Sequence, residues 1–186
     1  MDTGFVEEVP GTDLAVLKPY KFNNRQLIPL SDKALDYYKN QQFELARDTY
    51  KELIRQGEDE PTGHYGLGVC LLFLDDLDGA EQSFHRVLEL VPDDPGALLG
   101  LGSAASWRRD PEGGIFYYKK VLAVKPNYVY AHEFIAIEYH RIGKYDLAVK
   151  HYKKVVELIP DTRSAKNSQR AIDKITGDEK NNKEFY

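Results

Sequence analysis

The chain repeats itself every 34 residues, and a period of that length commits it to stacked supersecondary units rather than to one core of mixed elements. Ala46, Ala80, Gly114 and Ala148 recur at this spacing, and four residues after each comes an aromatic: Tyr50, Phe84, Tyr118 and Tyr152. Leu53, Val87, Val121 and Val155 make a third column, and Ala34, Gly68, Gly102 and Ala136 a fourth. Pro92, Pro126 and Pro160 close the later units.

Each unit holds two apolar patterns at i, i+3, i+4, i+7 spacing, separated by a turn-forming stretch such as Arg141-Ile142-Gly143-Lys144. That arrangement predicts two antiparallel helices per unit, A and B. A proline after helix B stops it, because proline lacks an N–H and disfavours helical geometry before it. Glycine inside a helix costs about 1 kcal/mol relative to alanine. Gly68 and Gly102 are therefore expected where helices A and B approach closely, with the column aromatic filling the gap against the neighbouring hairpin.

The columns resemble the tetratricopeptide repeat, whose unit reads W-x2-L-G-x2-Y…A-x3-F…P. The second unit has His64, Leu67-Gly68, Leu71, Ala80, Phe84 and Pro92; the third has Leu98, Leu101-Gly102, Ala105, Gly114, Tyr118 and Pro126. The fourth has His132, Ile135-Ala136, Tyr139, Ala148, Tyr152 and Pro160, and a weaker first unit has Leu30, Ala34, Tyr37, Ala46 and Tyr50. The resemblance covers residues 27–162. It implies an all-α fold, a right-handed superhelical α-solenoid of four helix-turn-helix repeats at 27–60, 61–94, 95–128 and 129–162. The first repeat departs from the pattern, with Glu58 in place of the closing proline and Lys33 before Ala34. In the third, Asp110-Pro111-Glu112 makes a good helix start, which Gly113-Gly114 then weakens.

A stacked array needs terminal caps. Residues 163–176 are expected to form a capping helix with Ala165, Ile172 and Ile175 inward and Gly177 ending it, followed by a disordered tail over 177–186. The final Phe185-Tyr186 is either a docking tag or part of an untethered end. Residues 1–26 fit no repeat and are expected to be extended or irregular. They carry Phe5, Val6, Val9, Leu14, Val16, Leu17, Tyr20 and Phe22, too apolar a set for a free tail.

In the tetratricopeptide family the concave face is built from the A helices, and the resemblance assigns the partner-binding role here to Tyr38, Tyr65, Val69, Leu72, Phe73, Leu99, Trp107, Tyr130, Ile137 and Arg141. Tyr38, Tyr65, Phe73, Trp107 and Tyr130 are the candidate anchors, and for each the alternative of packing against the adjacent hairpin stays open. The groove so read is apolar and aromatic, suited to an extended peptide or an amphipathic helix. The carboxylate clamp of some family members, which binds heat-shock chaperone tails, is absent: Ser31, Leu35, Val69, Gly96 and Gly100 stand at its places. Residues 1–26 are themselves expected to cover part of the groove or its flank at the first repeat.

Composition narrows the function classes. Net charge is −5, with 14 Lys+Arg against 21 Asp+Glu over residues 1–128 and 11 against 9 over 129–186, so no strong nucleic-acid footprint exists. No apolar run suggests a signal peptide or membrane insertion, and the lone Cys70 suits a reducing, cytoplasmic setting. No cofactor or metal is expected. His132-Glu133 lacks the second histidine of a zinc-protease helix, Ala136 standing there. His132 and His140 are eight residues apart, about 12 Å along a helix. The acidic clusters at 58–60, 75–78 and 93–94 read as turns and helix caps, and Lys150, His151, Lys153 and Lys154 as a solvent-facing basic patch.

The chain is thus expected to be a non-enzymatic protein-interaction scaffold or adaptor. The alternatives are a dedicated chaperone that shields an apolar client segment and a homo-oligomer assembled through the same groove.

Overall fold

The computed structural model describes residues 25–57 and 60–183, the stretch from 178 to 183 by its backbone alone. The expectations for residues 1–24, Glu58, Asp59 and the end from 184 onward lie outside these. Among the described residues all regular structure is helical: a single 3-10 turn, Arg25–Leu27, then α1 (Ile28–Lys39), α2 (Phe43–Gln56), α3 (Pro61–Phe73), α4 (Leu77–Leu90), α5 (Pro95–Trp107), α6 (Pro111–Val124), α7 (Val129–Arg141), α8 (Tyr145–Leu158) and α9 (Arg163–Lys183). Odd-numbered α1 to α7 are the A helices and even-numbered α2 to α8 the B helices. The fold divides into two compact units, residues 1–108 and 109–186.

Each turn between helices A and B is made the same way. Gln41, Asp75, Arg109 and Gly143 have φ of 58°, 61°, 61° and 73°, so the left-handed residue also recurs every 34 positions. Only the last is glycine, the residue that adopts this conformation without steric cost. The acidic turns cap helices: Asp76, Asp94 and Asp110 accept from the backbone N–H of Gly79, Ala97 and Gly113 at 3.0, 2.7 and 2.9 Å. These bonds satisfy amides that the first helical turn leaves without a partner. Pro61, Pro95 and Pro111 occupy first helical positions, where no N–H is needed.

The four sequence columns are the core. All their members are buried, Leu53, Val87, Val121 and Val155 completely. In the first unit the reason for the glycines is visible. A Cβ on Gly68 would meet the Phe84 ring at 2.8 Å, and one on Gly100 would meet it at 2.5 Å. Phe84 is therefore held between its own A helix and the next one, and Tyr50 lies 2.3 Å from a Cβ placed on Gly66. In the second unit α7 packs on α6 and α8, and α9 packs on α8 with Ala165, Ile172 and Ile175 buried.

Two expectations change. The Gly113-Gly114 pair leaves α6 an uninterrupted 14-residue helix. The last helix does not stop at Gly177: it continues to Lys183, because Gly177 avoids the left-handed φ that would end it and a lone glycine is tolerated inside a helix.

Candidate partner-binding face

In the first unit, four aromatic rings from three successive hairpins form a continuous row at the C-terminal ends of the A helices. Tyr38 meets Phe73 edge-on at 5.8 Å between ring centroids, and Phe73 meets Trp107 edge-on at 6.0 Å. Phe43, at the start of α2, stacks flat on Phe73 at 4.6 Å and touches Tyr38 at 5.7 Å. Tyr38 is buried, Phe43 and Phe73 are half-buried, and Trp107 is 47% exposed. The row therefore grades from core to solvent. Such edge-on and offset contacts each contribute about 0.5–1.5 kcal/mol beyond area burial, so the rings hold one another in place.

Trp107 is also fixed through its neighbour. Arg108, the residue that caps α5, donates to Asp78 and, at 3.1 Å, to Glu81, both on α4. The fork of a guanidinium suits two carboxylates at once, which ties the end of α5 to the first turn of α4.

The other expected anchors lie apart from the row. The Tyr65 ring packs on Phe84 at 5.8 Å and is 2% exposed. Val69, Leu72 and Leu99 are also buried. Phe43 escapes the A-helix pattern because it opens a B helix. Its signal was the column 43, 77, 145, where Phe, Leu and Tyr begin helix B in three units.

In the second unit, Ile137 is 40% exposed, Tyr130 is half-buried beside Tyr128 at 6.0 Å, and Arg141 donates to Glu138 at 2.9 Å. Tyr145, the counterpart of Phe43, meets His140 at 5.6 Å.

His132 is buried, as its bulky interior place in the repeat implies, whereas His151 is placed differently from the sequence reading. His132 pairs with His151 of α8, Nδ1 to Nδ1 at 3.0 Å, and its Nε2 lies 3.0 Å from the Pro126 carbonyl oxygen. That oxygen only accepts, so Nε2 of His132 carries a hydrogen, and a single hydrogen lies between the two Nδ1 atoms. Burial, His132 and the nearby Lys150 and Lys119 charges push His151 down to about 4. His151 is thus no part of a solvent-facing basic patch; the column of α8 turns it toward α7. The Cys70 thiol is fully buried and burial pushes it up to about 12, so it is no nucleophile at neutral pH. No described helix is long and apolar enough to cross a membrane.

Comparison with known proteins agrees with the helical pairs. Two tetratricopeptide repeat family models match residues 31–95 and 129–162, together just over half of the chain. A CTR9 homolog protein of Arabidopsis thaliana is 32% identical over 128 residues, a match that spans 68% of this chain and 12% of that protein. The chain therefore corresponds to a small part of that relative's length. Among solved structures, a thermophilic tetratricopeptide protein of Thermus thermophilus superposes with a TM-score of 0.68 at 18% identity, covering 80% of each chain. MamA of Desulfovibrio magneticus gives 0.66 at 18% identity, covering 85% of this chain and 97% of its own. These structures share the fold, an all-α helical-repeat solenoid. Tetratricopeptide repeat proteins serve in general as non-enzymatic scaffolds that bind protein partners. From its 34-residue columns, its helix pairs and these matches, the chain belongs to the tetratricopeptide repeat family.

Proposed function

We propose that this protein is an interaction scaffold that holds an apolar or amphipathic segment of a partner protein on the face formed by the A helices of its first three repeats. The observation that carries this reading is the row Tyr38, Phe43, Phe73 and Trp107, a set of mutually braced rings that ends in a half-exposed indole. Binding energy at protein interfaces concentrates in a few aromatic anchors held rigid before binding. Neither α3 nor α5 contains a charged residue, so a segment laid there meets no unpaired charge.

The test is a crosslinking pull-down from the native host that compares the wild type with Phe73→Ala and Trp107→Ala. Phe116→Ala serves as control, since Phe116 is 54% exposed on α6 and belongs to no part of the row. The row variants should lose a partner that the control retains. Equal recovery by all three variants would remove the partner from this face. A partner that aggregates without the protein, rather than one that is folded and carries a tail, would turn the scaffold into a chaperone.

A further inference from the structure

In the first unit, α3 and α5 have no polar face. Their sequences, Pro61–Phe73 and Pro95–Trp107, contain no Asp, Glu, Lys or Arg, whereas α2 and α4 carry charge along one side. A helix apolar all round is buried all round. The described helices that pack on α3 are its neighbours α1 and α5 and the B helices α2 and α4, which account for its flanks and back. Yet Leu35, Val69 and Ser103, one place in each of the three helices where such an array presents side chains to its open side, are only 5%, 3% and 8% exposed. Ile137, at the corresponding place in α7, is 40% exposed. The open side of the first three A helices therefore calls for a cover that the corresponding place on α7 lacks.

The chain has a segment suited to the task. Ahead of Arg25, where the described fold begins at the foot of α1, stand 24 residues that include Phe5, Val6, Val9, Leu14, Val16, Leu17, Tyr20 and Phe22. Neighbouring helices lie about 8–10 Å apart, so three of them span about 20 Å. Residues 14–22 alone, if extended at about 3.3 Å each, reach about 30 Å. A tethered segment competes at an effective concentration in the millimolar range, which a partner in solution rarely matches.

We propose that residues 5–22 are the resident occupant of the face formed by α1, α3 and α5, and that a partner gains this face by displacing them. This deepens the scaffold reading and rests on it for the partner's identity as an apolar segment. The row then has two parts with separate duties: the buried end is shared with the resident segment, and the Trp107 end is where an incoming partner first lands.

The test uses the full chain with p-benzoylphenylalanine placed at position 73 or at position 107 and irradiated as a dilute monomer. An intramolecular crosslink from position 73 to residues 5–22, found by digestion and mass spectrometry, is the expected result. Substituting Leu14→Asp, Leu17→Asp and Phe22→Asp together should abolish that crosslink and expose apolar surface to a hydrophobic dye. Helicity should persist in this variant, since every substituted residue precedes the repeat array. Absence of the crosslink in the unsubstituted chain overturns the proposal, as does a link found only between two copies, which would make the occupant a second molecule. If the crosslink forms but Phe73→Ala and Trp107→Ala leave partner recovery intact, the scaffold reading fails and the resident segment stands. If the crosslink is absent while those variants lose the partner, the reverse holds.

Discussion

The ring of Phe84 lies against Gly100 so closely that a Cβ added there would sit 2.5 Å from it. Phe84 has no exposed surface and is bounded on its other side by Gly68, so it cannot swing away. Gly100→Ala should therefore destabilise the first unit despite alanine's better helix propensity. Overpacking costs about 1–3 kcal/mol against a propensity gain of about 1, for a net loss of up to about 2 kcal/mol. Gly177→Ala provides the contrast, because nothing lies within 4 Å of its added Cβ and the residue sits within α9. That change should stabilise by up to about 1 kcal/mol. Urea denaturation followed by circular dichroism checks both, and a stabilising Gly100→Ala would mean that Phe84 is not confined.

The four left-handed turns allow a test of backbone strain without confounding contacts. Gly143 has φ of 73° and open space around its Cβ, so Gly143→Ala should cost about 1 kcal/mol from conformation alone. Gln41 is exposed at φ 58°, and Gln41→Gly should stabilise by about 0.5 kcal/mol, the relief of strain exceeding the added freedom of the unfolded chain. Opposite shifts in thermal midpoint are expected.

The His132–His151 pair makes stability depend on pH. His151 is held down to about 4 in the folded chain against 6.5 when unfolded. Between these values the unfolded chain binds a proton that the folded one does not, so this contribution is present above pH 6.5 and is lost as the pH falls toward 4. Lys119 from α6 and Lys150 on α8 act in the same direction. His151→Gln can still hydrogen-bond to His132 through either end of its amide but does not titrate. It should flatten the slope of stability against pH over this window, measured by chemical denaturation at several pH values. Parallel slopes for the variant and wild type would assign the acid sensitivity to other groups.

Phe43 braces the row without reaching its solvent end. Phe43→Ala should cost about 2 kcal/mol, less than a fully buried ring, because Phe43 is only half-buried. It should also release Phe73, which carries Trp107 edge-on. Since Trp107 is the sole tryptophan, its fluorescence reports the change directly. A wider range of indole orientations and easier quenching are expected, and unchanged quenching would show that Trp107 is held by α5 and Arg108 alone.

Much of the array could be read from the residues in order. The small and aromatic columns, the closing prolines and the capping aspartates are local signals that recur, and each repetition tests the previous one. Trp107 and Phe73 follow from the same logic, each at a fixed place in its A helix. Tyr65 shares that logic, yet its ring packs on Phe84 of the B helix in its own repeat and is buried, a contact between residues 19 apart that local spacing does not reveal. Phe43 went unnoticed for the complementary reason: it joins the face from a B helix, and only the turn at Gln41 brings it there.

By itself the sequence determined the helix count of the repeats, their turns and their buried columns, because these follow from periodicity, proline and glycine sterics and capping within a few residues of each position. Tertiary structure alone decided which rings meet, that His132 pairs with His151, and that Val69 and Leu99 are shielded while Trp107 and Ile137 are open. The physical reason is distance along the chain. Phe43 and Phe73, or His132 and His151, become neighbours only when helices pack at a particular depth and rotation, and packing is set by every side chain between them at once.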